Sequence, residues 1–280
     1  MSSTLLGVLL ALAASVALNA SYLLQHHGSA HTAAVTPRRP LASLRSLLHS
    51  PWWALGAGVG MTGWALHVGA LSRAPISLVQ AFVAGGLALA APMAALGLGH
   101  RLQGSERRAV ACMVLALPLL TLGLGHAGRS AAFAPMTLGA GVGTLSVLAS
   151  VLAAGVRGPR RAPALGLAGG LLYGAADLAI KGLTGLGVAG ALHSPWLIVA
   201  GVTTAGAFFA FQRGLQTGRP VSVIALMTAA TNVGSVLGGF LVFGDPLGRT
   251  PVLAVAHLAA FALVGLAAWW LAPSQARLAS

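Results

Sequence analysis

The sequence predicts an all-α polytopic membrane protein with about nine transmembrane helices. Hydrophobic residues make up 57% of the 280 positions and charged residues only 7%, whereas a soluble domain carries about 25% charged residues. The mean hydropathy of +0.86 agrees with this composition. A chain so poor in charge cannot cover itself with a solvated surface. Nine apolar runs are each long enough, at about 20 residues, to cross roughly 30 Å of hydrocarbon.

These nine runs are well delimited by the residues at their ends. Most begin at a proline, which suits the first helical turn because its missing N–H is not needed there. Pro92 and Pro118 fall inside spans 3 and 4 and are expected to kink them. Span 1 lacks a basic leader and is expected to remain as a membrane span. The predicted spans are 4–25, 52–71, 75–98, 108–126, 133–155, 163–182, 195–214, 220–243 and 251–272.

The basic residues predict the orientation of the chain. Twelve of the sixteen Lys and Arg residues fall in the odd-numbered loops and the C-terminal tail, and four fall in the even-numbered loops. Since basic residues concentrate on the cytoplasmic side, the odd loops are expected inside. The N-terminus is then outside and the C-terminus inside, in the cytoplasmic membrane. The positive charge is thus interpreted as a topology signal, so the expected partners are the lipid bilayer and a small-molecule substrate, not nucleic acid.

An internal repeat divides the chain into two halves. Span 2 begins Ser-Pro-Trp at residues 50–52, and a Pro-Ile-Ser sequence follows at 75–77; span 7 begins Ser-Pro-Trp at 194–196, and Pro-Val-Ser follows at 220–222. The first half, 1–156, holds spans 1–5, and the second, 157–280, holds spans 6–9, within one membrane domain. Five spans are an odd number, so the second half crosses in the opposite sense. Inverted repeats are typical of secondary transporters.

These residues resemble the drug/metabolite transporter superfamily. The segment 71–80, Leu-Ser-Arg-Ala-Pro-Ile-Ser-Leu-Val-Gln, its counterpart 217–223 and the end of span 1 at 22–28 resemble the EamA/NIPA-like branch, as does the nine-span layout. The family's basic pair is replaced by His26 and His27, and its acidic residue after span 3 by His100-Arg101-Leu102. The resemblance implies a permease that moves a small organic solute by alternating access.

Two alternatives remain open at this point. The resemblance also implies a magnesium or divalent-cation transporter, although Mg²⁺ usually binds one or two carboxylates and the chain has three acidic residues. A non-transporting membrane scaffold is the other alternative. Neither an enzyme, nor a cofactor, nor a metal site is expected, since no motif for one is present. Gly-x-x-x-Gly spacings at 56–60, 139–143, 166–170 and 234–238 permit close helix contact and are compatible with a homodimer.

Candidate substrate-binding residues are the polar and aromatic side chains inside the spans, because each needs a partner within the bundle or a cavity. Asp177 is the one acidic residue within a span, and a carboxylate there costs about 2.5–3.5 kcal/mol on insertion scales. It is either a substrate or proton site, or a structural ion-pair partner of Lys181 four residues on. His67 is interpreted as an interfacial histidine. The candidate set is Asn19, Tyr22, Trp64, Gln80, Tyr173, Asp177 and Asn232.

Overall fold

A computed structural model describes residues 3–29, 32, 39–83, 134–217, 220–245 and 250–278, with isolated positions between 104 and 119. These residues are helical, with turns and short connections between the helices. The helices are α1 Ser3–Ser29, α2 Pro40–Leu48, α3 Pro51–Leu71, α4 over residues 76–83, α5 Pro135–Gly155, α6 Arg161–Thr184, α7 Gly187–His193, α8 Pro195–Thr217, α9 Pro220–Phe243 and α10 Pro251–Leu278. A short 3₁₀ turn, Gly158–Arg160, precedes α6.

Six of the described helices are long and apolar enough to cross a membrane. They coincide with predicted spans 1, 2, 5, 6, 7 and 8, namely α1, α3, α5, α6, α8 and α9. The prediction of an α-helical membrane protein is thereby confirmed. Span 9 corresponds to α10, whose described apolar part, Pro251–Leu263, is shorter. Most of spans 3 and 4, with Pro92 and Pro118, lies outside the described residues, so the described helices fall short of nine.

Proline begins most of the described helices, as predicted. Pro51, Pro135, Pro195, Pro220 and Pro251 are each the first residue of a helix. The Ser50 side chain caps α3 by accepting the backbone N–H of Trp53, which satisfies one of the free donors at a helix start. The expectation that Pro163 begins span 6 was wrong by two residues, because α6 starts at Arg161 directly after the 3₁₀ turn.

The long helices pack in two antiparallel hairpins, α1 with α3 and α6 with α8. Gly7 approaches Ala74 at one end of α1, and Gly28 approaches Trp53 at the other. In the second hairpin, Gly206 of α8 approaches Leu172 of α6. We refer to the end of the bundle where α3 and α6 finish as the Leu71 end.

The two hairpins run in opposite senses. His67 of α3 contacts Asp177 of α6. Four residues further along both helices, Leu71 of α3 contacts Lys181 of α6. Helices α3 and α6 are therefore parallel. Since α1 is antiparallel to α3, the first helix of one hairpin runs opposite to the first helix of the other.

Helix α6 lies at the centre of the described bundle, and small residues place it there. In its most apolar window, 72% of the residues are buried, compared with 17–39% in the other spans. A side-chain atom added at Gly170 would lie 2.2 Å from the Met227 carbonyl oxygen of α9, and one at Gly166 would lie 2.7 Å from the Val223 carbonyl. The predicted close contact at 166–170 is thus confirmed. At Gly143, by contrast, an added side-chain atom meets no described neighbour within 4 Å.

Candidate functional site

A buried carboxylate on α6 forms the centre of the site. Asp177 is 8% exposed. His67 Nε2 of α3 lies 3.1 Å from its Oδ1 atom. Its Oδ2 atom accepts hydrogen bonds from Gln80 Nε2 of α4 at 2.5 Å and from Ser235 Oγ of α9 at 2.9 Å. Four helices therefore meet at this one side chain. We refer to Asp177, His67, Gln80 and Ser235 as the Asp177 cluster.

The Asp177 cluster lies near the Leu71 end, not at the middle of the spans. His67 is four residues before the last residue of α3, and Asp177 is seven before the last residue of α6. At about 1.5 Å per residue, these positions are roughly 6–10 Å from the helix ends. A substrate that reaches the carboxylate from the far end would cross most of the bundle.

Sequence reasoning missed two members of the cluster. His67 was expected at the membrane interface, but it is 6% exposed and faces Asp177. A signal was present, because His67 is fifteen residues into predicted span 2 and Asp177 fourteen into span 6, and both spans cross in the same direction. Equal depth places the two side chains at one level. Ser235 carries no comparable signal, since a serine in an apolar span often bonds to its own helix.

Asp177 and Lys181 do not form the ion pair that was one of the two alternatives for Asp177; the ion pair seen among the described residues joins Asp177 to His67. Lys181 Nζ instead donates to the carbonyl oxygens of Leu71 at 2.6 Å and Ala74 at 2.7 Å. The last carbonyls of a helix have no intrahelical partner and carry partial negative charge. The C-terminal end of α3 thus supplies acceptors for the Lys181 ammonium, while Asp177 finds its hydrogen-bond partners on α3, α4 and α9.

A second buried carboxylate holds the start of α4. Asp245, just beyond α9, accepts hydrogen bonds at Oδ2 from the Ser77 backbone N–H at 2.8 Å and from Ser77 Oγ at 2.7 Å. Burial raises the pKa of the Asp245 carboxyl above its ordinary value, while Ser77 and the nearby Lys181 ammonium act in the opposite direction. The turn between α3 and α4 is therefore clasped by Lys181 on one side and Asp245 on the other.

Two of the predicted aromatic residues line a large apolar cavity. Trp64 is 45% exposed. It and Tyr173 share a cavity of about 930 Å³ with Val68, Ile180, Phe208 and Phe209, between α2, α3, α6, α7 and α8. This volume lies in the range of small-molecule sites, about 300–1,000 Å³. Tyr173 lies one helical turn before Asp177 on α6.

The remaining predicted residues lie in the same bundle. Tyr22 packs edge-on against Phe211, with ring centroids 5.5 Å apart. Asn19 donates to the Ser15 carbonyl oxygen on its own helix at 2.8 Å. Asn232 donates likewise to Thr228, and its Oδ1 atom is buried without a hydrogen-bond partner among the described residues. Of the seven predicted residues, the structure joins Asp177 and Gln80 by a direct hydrogen bond.

No protein-family model, curated protein sequence or solved structure matches this chain. Among the described residues, no group of three or more His, Cys, Asp or Glu side chains could hold a metal ion.

Proposed function

We propose that the chain is a secondary transporter of the drug/metabolite type, a permease that moves a small organic solute by alternating access. The observation that carries the proposal is the convergence of both halves on one buried carboxylate. Asp177 and Ser235 belong to the second half, and His67 and Gln80 to the first. A carboxylate within a membrane span is expensive and is retained where it has a function. Its position between two halves suits a site whose accessibility changes when the halves move.

The opposite directions of the two hairpins support an inverted repeat. The α1–α3 hairpin corresponds in the proposed repeat to the α6–α8 hairpin. The first helices of the two hairpins run in opposite senses. This is expected if the first half holds five spans, because an odd number of crossings reverses the direction of the second half. In transporters of this construction, the two repeats rock against each other around the binding site. A scaffold protein does not need two repeats that move against each other.

The arrangement of the described ends also supports the nine-span proposal. Helix α3 ends at the Leu71 end, and α5 begins there, since Gly139 of α5 approaches Trp196 at the start of α8. Predicted spans 3 and 4 lie between these two helices in the sequence, and an even number of spans there agrees with this arrangement. Together with α1, α3, α5, α6, α8, α9 and α10 they make up the proposed nine spans.

We place the Leu71 end outside the cell. Seven basic residues of the described continuous segments lie at the opposite end or in the connections and helix α2 that lead to it, and two, Arg73 and Lys181, lie at the Leu71 end. The seven are Arg39, Arg45, Arg157, Arg160, Arg161, Arg213 and Arg277. This distribution supports an outside N-terminus, an inside C-terminus and residence in the cytoplasmic membrane.

Cysteine labelling of intact cells tests the orientation. In a Cys112→Ala background, Leu192→Cys is expected to react with a membrane-impermeant maleimide, because the exposed Leu192 lies at the proposed outer end. Gly155→Cys is expected to react only after the cells are opened. Among the described residues, no atom of another part of the chain lies within 4 Å of a side-chain atom added at Gly155, so the substitution itself is expected to be tolerated. The reverse labelling pattern would overturn the orientation.

Flux measurements in proteoliposomes test the transport function. The purified protein is expected to carry at least one member of a panel of sugars, amino acids, nucleosides and organic ions faster than empty vesicles. We expect Asp177→Asn to reduce that flux by about tenfold or more, equivalent to at least about 1.4 kcal/mol of barrier height. Asn232→Ala tests the buried amide in the same assay, and Ser150→Ala, at an exposed position of α5, is the matched control.

The panel also separates the alternatives. Magnesium flux without organic-solute flux would favour the divalent-cation transporter. Vesicles that carry no member of the panel faster than empty vesicles, although the protein is folded, would favour the scaffold. A flux that is equal in the wild type and in Asp177→Asn would remove Asp177 from the site.

A further inference from the structure

We propose that the protein holds an anionic phospholipid at the corner between α2 and α3, with the lipid phosphate at Arg45 and an acyl chain in the large apolar cavity. Two observations carry the proposal. The cavity reaches α2, and Arg45 lies in a depression that shares residues with the cavity. The site goes beyond the transport function and does not depend on it, because lipid binding needs no solute flux.

Helix α2 has one buried face and one exposed apolar face. Ser43 and Leu47 are its buried residues. Leu47 packs in one cluster with Trp53 and with two phenylalanines of α8. The leucines outside this packed face are exposed, namely Leu41, Leu44 and Leu48. A short helix that packs on the bundle while it exposes leucines is suited to the membrane interface, where acyl chains cover such leucines.

A basic and a titratable side chain lie beside the exposed leucines. The depression has a volume of about 310 Å³. His49 Nδ1 lies 2.6 Å from the Arg45 carbonyl oxygen, and since a carbonyl only accepts, the ring donates and is held in place. The Arg45 guanidinium is suited to a phosphate, which it can bind through two parallel hydrogen bonds. We refer to this group as the Arg45 depression, formed by Leu41, Leu44, Arg45, Leu48 and His49.

The Arg45 depression lies at the level expected for lipid headgroups. Helix α3 begins at Pro51, shortly after Arg45, at the end of the bundle opposite Leu71. Trp52 at this start is exposed and meets the His27 ring edge-on, with centroids 5.6 Å apart. Tryptophan is enriched where membrane meets water. In the proposed orientation this is the cytoplasmic leaflet, whose anionic lipids attract basic residues near the surface.

The cavity continues from the Arg45 depression into the bundle. The two share Leu41 and Leu44. On α8 the cavity wall extends from Phe208 to Leu197, which at about 1.5 Å per residue is roughly 16 Å along the helix. The cavity is therefore elongated in the direction in which acyl chains lie in a bilayer, with the basic residue at one end.

The wall of the cavity suits hydrocarbon and not a hydrated solute. None of its described lining residues is charged. The hydroxyls of Ser72 and Thr184 are occupied on their own helices, since each donates at 2.8 Å, to the carbonyls of Gly69 and Lys181 respectively. A polar group that enters without a hydrogen-bond partner loses its hydration at a cost. An acyl chain has no such groups to satisfy.

Native mass spectrometry of the full chain in detergent tests headgroup recognition. Dioleoyl phosphatidylglycerol is expected to bind about fivefold more tightly than dioleoyl phosphatidylcholine, the effect of one basic residue at an anionic membrane. Arg45→Gln is expected to remove this preference and to leave the binding of phosphatidylcholine unchanged. The matched control is Arg160→Gln, an exposed arginine at the same end of the bundle, which is expected to keep the preference.

A second variant tests the cavity in the same experiment. Gly201 lines the cavity, and a side-chain atom added there meets no described neighbour within 4 Å. Gly201→Leu therefore places its side chain in the cavity without a steric conflict. It is expected to weaken both lipids by about fourfold or more, as the loss of one buried methylene contact does. Gly143→Leu on α5, outside the cavity, is expected to change neither.

Cross-linking in the wild type locates the chain without any substitution. A phosphatidylglycerol with a photoactivatable acyl chain is expected to label residues such as Trp64 and Phe208 in the cavity wall. Label confined to exposed faces elsewhere, such as Val147 and Val151 of α5, would overturn the cavity as the chain site.

Three binding results would contradict the headgroup site. One is equal binding of the two lipids by the wild type. Another is an equal loss of preference in Arg45→Gln and Arg160→Gln. The third is displacement of phosphatidylglycerol by soluble glycerol phosphate at equal concentration, which would assign the depression to a free phosphate compound instead of a lipid. A protein that carries no solute leaves all these expectations in force, so failure of transport and failure of the lipid site are told apart.

Discussion

Asp177→Ala is expected to lower the free energy of unfolding by about 2–5 kcal/mol, the larger of the two strongest effects that the structure predicts. The substitution removes the acceptor of Gln80 and Ser235 and the partner of His67. Each buried donor that loses its acceptor costs about 1–3 kcal/mol. Hydrogen bonds between membrane helices average nearer 0.6 kcal/mol, so the lower part of the range applies if the freed side chains find new partners.

Thermal or denaturant unfolding in detergent measures this effect. Asp177→Asn keeps the size of the side chain and one acceptor oxygen, so it is expected to lose much less than Asp177→Ala. The control is Ser150→Ala on the exposed face of α5, whose hydroxyl donates to its own helix at Ser146. An Asp177→Ala protein as stable as the control would show that the Asp177 cluster does not hold the four helices together.

Gly170→Ala is expected to lower the stability by about 1–3 kcal/mol through a steric conflict in the α6–α9 contact. The added methyl group would lie 2.2 Å from the Met227 carbonyl oxygen and 2.7 Å from the Ala230 side chain. A backbone carbonyl cannot turn aside as the end of a flexible side chain can. The two helices must therefore separate, and the contacts along α6 weaken with them.

The same substitution at Gly143 is the matched control. Gly143 lies inside α5, and no described neighbour lies within 4 Å of a methyl group added there. Alanine is a better helix former than glycine by about 0.8–1.0 kcal/mol, so Gly143→Ala is expected to leave the stability unchanged or raise it slightly. Equal effects at the two glycines, measured as unfolding midpoints, would contradict the close α6–α9 contact.

Much of the architecture was predictable because membrane helices obey simple rules of length and composition. Apolar runs of about 20 residues and the prolines at their starts located α1, α3, α5, α6, α8 and α9 within a few residues. The basic residues of loops could be counted without knowing any contact. Such features depend on local sequence alone. Because hydrocarbon offers no water to the backbone, an apolar spanning segment must also satisfy its own hydrogen bonds, and a helix does so.

The site was harder to predict because its contacts join distant parts of the sequence. Asp177 and Gln80 were identified as polar residues in apolar spans, and they do meet. The choice of Lys181 as the partner of Asp177 followed from helical spacing, which says that two side chains can meet and not that they do. The competing acceptors, Leu71 and Ala74, lie over a hundred positions away. Their free carbonyls arise only once α3 ends beside α6.

The clasp around the turn between α3 and α4 ties this turn to α6 and to the segment just beyond α9. Lys181 holds the carbonyls of Leu71 and Ala74, and Asp245 holds the backbone and side chain of Ser77. If each of these four bonds contributes about 0.6 kcal/mol, together they favour the attached turn by about 2.4 kcal/mol, or roughly sixty-fold. At equilibrium the turn would then be released from these partners in only a percent or two of copies.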